Sequence, residues 1–269
     1  KIMSEFFLEL FSEEIPANLQ INSRIVLMDS FQKLFEEKQI KFKKNKSYST
    51  PNRLVILFEG LDKEIIQKAQ EIKGPNVSAP EKAIDGFVRS NQIHKDNLYK
   101  KKIEKGEFYF FKKSSKKINT IDILNQYCPL IFDKIQWKKS MRWGNFNLNW
   151  ARPLKSILGI FDGKSLSFKF HHLTCSNTTF LDKEVEDKKK IFKNFKSFKK
   201  FFHQSGIIID QIYRKEFIQK ELQKVSKRKN ITVEFNNKLL EEVTNLVEQP
   251  NILLCKFDKK FLNIPKEIL

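Results

Sequence analysis

Two short apolar runs, separated by a long helical pattern, constrain the start of this chain more than any other feature. Glu5 to Leu10 (EFFLEL) and Leu54 to Phe58 (LVILF) each have the length and apolar content of a strand. The apolar side chains between them keep the i, i+4, i+7, i+8 spacing of one buried helix face: Leu27, Phe31, Leu34 and Phe35. Pro16 fits the first turn of that helix. Strand, helix and strand together predict an α/β layer at the N-terminus.

The later patterns predict further elements of both kinds. In the middle of the chain we expect a helix around Ala83 to Ser90, a hairpin over Leu98 to Lys112 turning at Lys105-Gly106, a helix capped by Asn119 or Thr120 and bent at Pro129, and mostly antiparallel strands from Trp137 to Phe170. In the last third we expect helices that carry Phe192 to Phe202, Ile218 to Val225 and Leu239 to Val247, and then a strand from Ile252 to Cys255. The predicted class is therefore α+β, with mixed and antiparallel sheets and packed helices. We place a boundary near residue 180, between a region over 1–180 and a mainly helical segment over 181–269.

The charge of the chain favours contact with polyanions. There are 51 Lys and Arg against 32 Asp and Glu, which gives a net charge of +19. Only 7 of the basic residues are Arg, and Lys is spread through nearly every segment, so the excess is weaker evidence for nucleic acid than a local arginine patch. In Lys188 to Lys200 (KKKIFKNFKSFKK) we expect the phenylalanines to pack on the protein's own core, rather than on a membrane or RNA.

No catalytic residue and no metal ligand is predicted. The three cysteines form no CxxC pair, and Cys128 and Cys255 have the apolar neighbours of core residues. His171 and His172 are adjacent, so on a strand their side chains would point to opposite faces. The N-terminal run carries acidic residues unlike a signal peptide, and no apolar window approaches the ~18 residues of a membrane span. We expect a reducing, cytoplasmic setting.

A collinear set of short motifs covers almost the whole chain. They are ELxxEEIPA at Glu9 to Ala17, TPxRL at Thr50 to Leu54, KGP at Lys73 to Pro75, GFxRS at Gly86 to Ser90, KSMRWG at Lys139 to Gly144, RP at Arg152-Pro153, EEVTxLVExP at Glu241 to Pro250, and FDxxFLxxPKE at Phe257 to Glu267. In this order and spacing they resemble the N-terminal part of the β subunit of the bacterial heterotetrameric glycyl-tRNA synthetase.

The resemblance implies a function that this chain would share with other subunits. The family forms an α2β2 assembly that joins glycine to tRNA(Gly) through a glycyl-adenylate. ATP and Mg²⁺ are expected at the α subunit and none at this chain, while β supplies assembly and tRNA-binding surface. The chain alone is expected to be inactive. Neither a membrane nor DNA is expected as a partner. The resemblance also implies a B3/B4-like fold for the N-terminal region. The family's HD-type domain and its C-terminal tRNA-binding, anticodon-recognising part are expected to lie outside this chain.

The segment KSMRWG leaves two interpretations open. Trp137, Trp143 and Trp150 are the only tryptophans, and they lie close to Arg142 and Arg152. Arginine offers a planar fork that lysine lacks, which suits an RNA phosphate or a carboxylate on the α subunit. Alternatively, the tryptophans fill the core and each arginine holds a buried acid or a carbonyl. We favour a structural or subunit-interface role over a diffuse positive charge.

Six residues are the candidate contacts with tRNA or the α subunit: Lys139, Arg142, Trp143, Arg152, Arg53 and Arg89. Two departures from the family weaken the case for tRNA contact. Asn177 to Asp182 (NTTFLD) replaces a stretch of the Thr-x-Gly-His-Arg-Phe type, and Asn52 stands where arginine is common. Two alternative functions are a hydrolytic, editing-like module for mischarged tRNA and a general basic RNA-binding protein.

Overall fold

A computed structural model describes residues 4–67, 69–104, 106–142, 144–181 and 189–265. The strands are β1 (Glu5–Ser12), β2 (Lys44–Thr50), β3 (Arg53–Glu59), β4 (Glu64–Gln67), β5 (Gln70–Asn76), β6 (Tyr99–Ile103), β7 (Gly106–Lys113), β8 (Lys116–Asn119), β9 (Leu154–Phe161), β10 (Lys164–Ser165), β11 (Lys169–Phe170), β12 (Leu173–Thr174), β13 (Thr178–Phe180) and β14 (Lys189–Ile191). The α-helices are α1 (Ala17–Glu37), α2 (Glu81–Asn91), α3 (Thr120–Asp133), α4 (Phe195–Gln204), α5 (Gln211–Lys229) and α6 (Asn237–Leu246), and short 3-10 helices span Lys95–Asn97 and Lys259–Asn263. The predicted α+β class is confirmed.

The chain divides into two compact units. The first contains residues up to Leu61 and from Leu124 onward, and the second contains Asp62–Ile123. The segments on both sides of residue 180 belong to the first unit. The likeness of either region to a B3/B4 module stays a prediction.

A five-stranded antiparallel sheet, in the order β10-β9-β1-β3-β2, organises the first unit. β1 lies at its centre, with Leu10 opposite Leu54 of β3 and opposite Ile157 of β9. Helices cover both faces. Phe6 contacts Phe31 of α1, with ring centroids 5.2 Å apart, and its neighbour Phe7 contacts Phe198 of α4 on the other face at 4.7 Å. Burial on both faces explains why EFFLEL and LVILF are continuous apolar runs rather than alternating ones.

The second unit is built from two smaller antiparallel sheets and a helix. One sheet has the order β5-β7-β6, and the other pairs β4 with β8. β6 and β7 form the predicted hairpin, and α2 confirms the helix expected around 83–90. The ring of Phe87 on α2 packs on Phe111 of β7, with centroids 5.9 Å apart, so α2 covers one face of the three-stranded sheet.

One strand prediction is correct in its second half only, and another is wrong. The antiparallel strands expected from Trp137 to Phe170 begin at Leu154, with β9, β10 and β11. Between Trp137 and Pro153 the described residues contain one isolated bridge, Met141 to Trp150, and no extended ladder. Residues 252–255 also form no strand, and Leu253, Leu254 and Cys255 are exposed there. Apolar composition misled the interpretation in both segments, because neither finds a neighbouring strand to pair with. Cys255 is therefore not the core residue that its neighbours predicted.

The last third of the chain confirms the helices but not all of their apolar faces. Phe195, Phe198 and Phe202 of α4 are buried, which confirms the core role predicted for this phenylalanine pattern; Phe192 is also buried but precedes the helix. In α6 the side chains of Leu240, Thr244 and Asn245 are buried, whereas Leu239 and Leu246 are each 57% exposed. The stripe predicted for α6 is thus correct at one position only. Among the helices of the described residues, none has the length and apolar character needed to cross a bilayer.

Candidate functional site

Three of the collinear motifs meet at the buried guanidinium of Arg53. Its Nε donates to Glu9 Oε1 at 2.9 Å, and its Nη1 donates to Glu248 Oε1 at 2.7 Å. Its Nη2 donates to the carbonyl oxygens of Phe180 and Leu181 at 2.6 and 3.0 Å. Phe11 and Phe202 lie on either side, each with its ring centroid 4.5 Å from the guanidinium carbon. This arrangement uses the planar fork fully, and lysine would not reproduce it.

Burial alters the acidity of the carboxylate beside Arg53. Desolvation raises the pKa of Glu9 to about 7, although Arg53 opposes the shift. Glu9 and Arg53 both have side chains with 0% exposure. Glu248, which also accepts a hydrogen bond from the Thr50 hydroxyl, is 16% exposed. The cluster joins β1, β3, β13 and the segment after α6, so its evident role is to hold these elements together.

A second buried guanidinium, Arg214 on α5, was missed by the sequence interpretation. Its Nε donates to Thr244 O at 2.8 Å and its Nη2 to Ser49 O at 2.9 Å, while its Nη1 donates to Ile208 O. Burial lowers the pKa of Arg214 to about 10. The scarcity of arginine in a lysine-rich chain was the signal that could have found it, since Arg53 and Arg214 both satisfy main-chain carbonyls inside the fold.

Other motif residues converge on an open cleft of about 440 Å³ in the first unit. It is lined by Glu13, Glu14, Ile15, Pro16, Pro51, Arg152, Pro153, Asn245 and Leu246. Main-chain hydrogen bonds fix its walls: Glu13 N donates to Pro153 O at 2.9 Å and Ile15 N donates to Pro51 O at 2.6 Å. Asn245 in the lining is held by the buried Gln20, whose side-chain amide donates to the Asn245 main-chain oxygen at 2.6 Å. Prolines and these cross-links make the cleft rigid, with the half-buried Arg152 as its cation.

The segment KSMRWG lies on the surface above a buried anchor. Lys139 and Arg142 are exposed, and Trp143 lies outside the described residues. The neighbouring Met141 exchanges two main-chain hydrogen bonds with Trp150, at 2.9 and 3.3 Å. Trp150 is 1% exposed and contacts Trp137, with ring centroids 5.1 Å apart. The core role that one interpretation gave to the tryptophans is confirmed for Trp150, and Trp137 is half-buried. The side chain of Arg142 is exposed and does not hold a buried acid in the described residues.

The five candidate contacts among the described residues are thus dispersed, and the sixth, Trp143, lies outside those residues. Arg53 is internal, Arg152 lines the cleft, Lys139 and Arg142 share the surface segment, and Arg89 is exposed in the last turn of α2 in the second unit. A contact with tRNA or with an α subunit by any of the six stays a prediction. The segment that includes Phe180 and Leu181 has a structural use, because the main-chain carbonyls of these two residues accept from Arg53.

The two buried cysteines, Cys128 and Cys175, lie in environments that suppress the reactive thiolate form. Burial raises the pKa of the Cys175 thiol to about 12 and raises that of Cys128 well above its usual range, so both stay protonated near neutral pH. Within the same described ranges, no group of three or more His, Cys, Asp or Glu side chains is arranged to hold a metal ion.

Comparisons with known proteins agree on one family. A family model described as "Glycyl-tRNA synthetase beta subunit" matches residues 6–269. The glycine–tRNA ligase beta subunit of Rickettsia canadensis is 38% identical over 267 residues, covering 99% of this chain and 40% of the relative. The corresponding subunit of Rickettsia felis is 38% identical over 269 residues, with the same coverage of 99% and 40%. The chain therefore spans about 40% of the length of the curated relatives it matches.

Proposed function

Because the chain belongs to the glycyl-tRNA synthetase β-subunit family, we propose that it acts within a glycine–tRNA ligase by supporting α2β2 assembly and placing tRNA(Gly). The observation that carries this proposal is the match over residues 6–269 at 38% identity to curated β subunits. In this proposal ATP and Mg²⁺ bind at the α subunit, where glycine is activated. The setting is cytoplasmic.

A supporting role, rather than a catalytic one, fits the use of the motif residues inside the fold. Glu9 and Arg53 have no exposed side-chain surface, so neither reaches a substrate in solvent. Gln20 and Asn245 are also buried, and the Gln20 amide donates to the Asn245 main-chain oxygen, which links α1 to α6. These buried polar groups connect segments that are distant in the sequence. They therefore stabilise the fold, and the fold in turn can present surfaces to other subunits. We therefore expect no glycylation by this chain alone, and turnover by the purified chain would refute the division of labour.

The surface segment with Lys139 and Arg142 is the α-subunit contact in this proposal. Met141 and Phe146 are each 42% exposed beside Arg142. Methionine, aromatic residues and arginine are enriched at protein interfaces, and a few such residues carry most of the binding energy. The main-chain bridge from Met141 to the buried Trp150 holds the segment before a partner arrives, which lowers the entropy lost on binding.

Size-exclusion chromatography with light scattering tests the contact directly. The chain is mixed with purified α subunit, and we expect a stable complex whose dissociation constant rises about tenfold or more in Arg142→Lys, because lysine cannot hold a carboxylate bidentately. Arg228→Lys is the matched control, since Arg228 is exposed in the last turn of α5. Absence of a complex with the wild-type chain would move assembly to another part of the family's β subunit.

The cleft favours one second candidate, hydrolysis of mischarged tRNA. Its volume of about 440 Å³ falls in the range of small-molecule sites, and it combines two carboxylates, Glu13 and Glu14, with the guanidinium of Arg152. Glu13 pairs with Lys155 Nζ at 2.7 Å, and Glu14 lines the same cleft next to it, so the test replaces Glu14. Release of the amino acid from a misacylated tRNA by the chain, lost in Glu14→Gln, would support this candidate; no release from any misacylated tRNA would remove it.

A further inference from the structure

The second unit carries an exposed sheet face that the proposed function has not used. Pairing of β5, β7 and β6 aligns Lys73, Phe110 and Tyr99 in one row across the sheet, and Lys101 lies opposite Phe108 in the next. Glu71 and Lys112 pair in the row on the other side. Because side chains two positions apart share a face, all of these residues project from the same side. We call the set Lys73, Tyr99, Lys101, Phe108 and Lys112 the platform.

The platform interleaves cations with aromatic rings. Lys73 Nζ lies 3.6 Å from the ring centroid of Phe108, and Lys101 Nζ lies 5.4 Å from that of Phe110. The ring of Tyr99 stacks against that of Phe110 with centroids 6.3 Å apart. Tyr99 is 36% exposed and Phe108 is half-buried, whereas Phe110 beneath them is buried. The ring of Tyr99 is therefore partly exposed and is supported by the buried ring of Phe110, and Phe108 adds half-buried aromatic surface beside Lys73.

Glu71 orients this surface. Its Oε1 accepts from the hydroxyl of Tyr99 at 2.7 Å, and its Oε2 pairs with Lys101 Nζ. These contacts fix the Tyr99 ring against the sheet, so Glu71 is a positioning residue. Its charge is offset by Lys101, which leaves Lys73 and Lys112 as the platform's net positive charge.

The opposite face of the same sheet is covered by a helix. Its residues include Phe111, which is 5% exposed and is covered by Phe87 of α2. Lys100 and Lys102 project on that side, at the edge strand, and are exposed. The sheet thus has one face packed against its helix and one face with lysines and aromatic rings in solvent. Lys100 and Lys102 therefore serve as a control for the platform lysines, because they are exposed on the same sheet but lie on its other face.

We infer that the platform binds single-stranded RNA. Bases stack on exposed aromatic rings without regard to sequence, and lysines beside them neutralise the phosphates that link those bases. A protein partner fits less well, because lysine is depleted at protein interfaces while three of the five platform residues are lysines. The inference rests on the proposed function for the choice of RNA over DNA.

Binding of a fluorescein-labelled dodecauridine to the whole chain tests the platform. We expect the variant Lys73→Gln/Lys101→Gln/Lys112→Gln to bind about tenfold or more weakly. The slope of log affinity against log salt concentration should become shallower by about 1.4, because Lys73 and Lys112 each neutralise one phosphate and each contributes about 0.7 on a single strand. The matched control is Lys82→Gln/Lys100→Gln/Lys102→Gln, which removes the same charge from α2 and the opposite side of β6. The control should stay within about threefold of wild type.

The outcomes separate the inference from its alternatives. Equal losses in both triple variants would show diffuse attraction to a basic surface and overturn the inference, as would no binding at all. Polyglutamate binding that depends on the platform as strongly as dodecauridine binding would identify an acidic protein ligand and also overturn it. Tighter binding of dodecathymidine would overturn the assignment to RNA.

Tyr99 gives a test that does not depend on charge. Tyr99→Ala should lower dodecauridine affinity about tenfold through lost stacking, whereas Tyr99→Phe keeps the ring and should retain affinity within about threefold. Retained affinity in Tyr99→Ala would overturn the stacking role, and circular dichroism of each variant shows whether the fold is kept. Failure here would leave the proposed ligase role intact, because that role is tested by complex formation with the α subunit.

Discussion

Arg53 and Glu248 form an ion pair of 2.7 Å across 195 positions of sequence, and this pair ties strand β3 to the segment that follows α6. Glu9 completes the cluster from the neighbouring strand β1. An ion pair of this kind is costly to bury, so its value lies in fixing which segments meet rather than in a large net gain of stability. The motif residues of this family segment thus act largely as internal connectors.

Removal of the Arg53 guanidinium should therefore be severe. We expect Arg53→Met to lower the free energy of unfolding by about 3–5 kcal/mol, because Glu9 would remain buried without its cation and two main-chain carbonyls would lose their donors. Urea denaturation followed by circular dichroism measures the change. The control Arg228→Met alters an exposed arginine and should stay within about 0.5 kcal/mol. A loss below about 1 kcal/mol for Arg53→Met would contradict the connector role.

Glu9 should make stability depend on pH in a defined direction. Its pKa rises from 4.5 to about 7 on folding, so between these values the folded chain holds a proton that the unfolded chain has released. Lower pH then favours the folded state, and Glu9 should stabilise the fold progressively as pH falls from about 7 towards 4.5. The slope cannot exceed about 1.4 kcal/mol per pH unit for one proton.

Denaturation of wild type and Glu9→Gln at several pH values isolates this contribution. We expect the difference in unfolding free energy between the two proteins to vary across the window from about 7 to 4.5 and to level off outside it. Glu37→Gln, at an exposed position at the end of α1, serves as the control. A difference for Glu9→Gln that is flat over this range, or that moves towards greater wild-type stability at higher pH, would refute the account.

Two glycines should respond oppositely to alanine. A Cβ on Gly159 of β9 would lie 2.8 Å from Cys175 Sγ and 3.1 Å from Leu166 Cδ1, so Gly159→Ala should cost about 1–3 kcal/mol. A Cβ on Gly86 of α2 meets nothing within 4 Å, so Gly86→Ala should stabilise the helix by about 0.5–1 kcal/mol. Thermal unfolding measures both. Equal effects would mean that the packing around β9 is looser than the structure indicates.

Periodicity predicted the parts of the fold whose burial depends on local pattern. The face of α1 with Phe31 and Phe35 and the strand β3 follow directly from spacing and run length. Spacing predicted the helix α6 but not its buried face, where polar Thr244 and Asn245 are buried and Leu239 is exposed. The reason is tertiary: the Thr244 carbonyl accepts from Arg214 and the Asn245 carbonyl accepts from Gln20, so the partners of α6 select which side turns inward.

The candidate site divides in the same way. The motifs identified Arg53 but not its ion-pair partners, Glu9 and Glu248. These partners are far from Arg53 in the sequence, and they meet it because of the register of β1 and β3 and the path of the chain after α6. The scarcity of arginine suggested fixed geometry at Arg142, whose side chain is exposed, whereas the arginines held by buried hydrogen bonds are Arg53 and Arg214. The sequence did not predict the platform, because its residues come from three strands and line up only when those strands pair.

The last prediction separates the anchor of the surface segment from its contact residue. Trp150 is 1% exposed and packs against Trp137 and Phe170, so Trp150→Ala should lower the free energy of unfolding by about 3–5 kcal/mol. Arg142→Lys changes an exposed side chain and should stay within about 0.5 kcal/mol.

Limited trypsin digestion should then cut after Lys139 and Arg142 faster in Trp150→Ala than in wild type, because the Met141 bridge loses its support. An unchanged digestion rate together with unchanged stability would show that Trp150 does not anchor the segment, and a large loss of stability in Arg142→Lys would make Arg142 a structural residue instead of a contact.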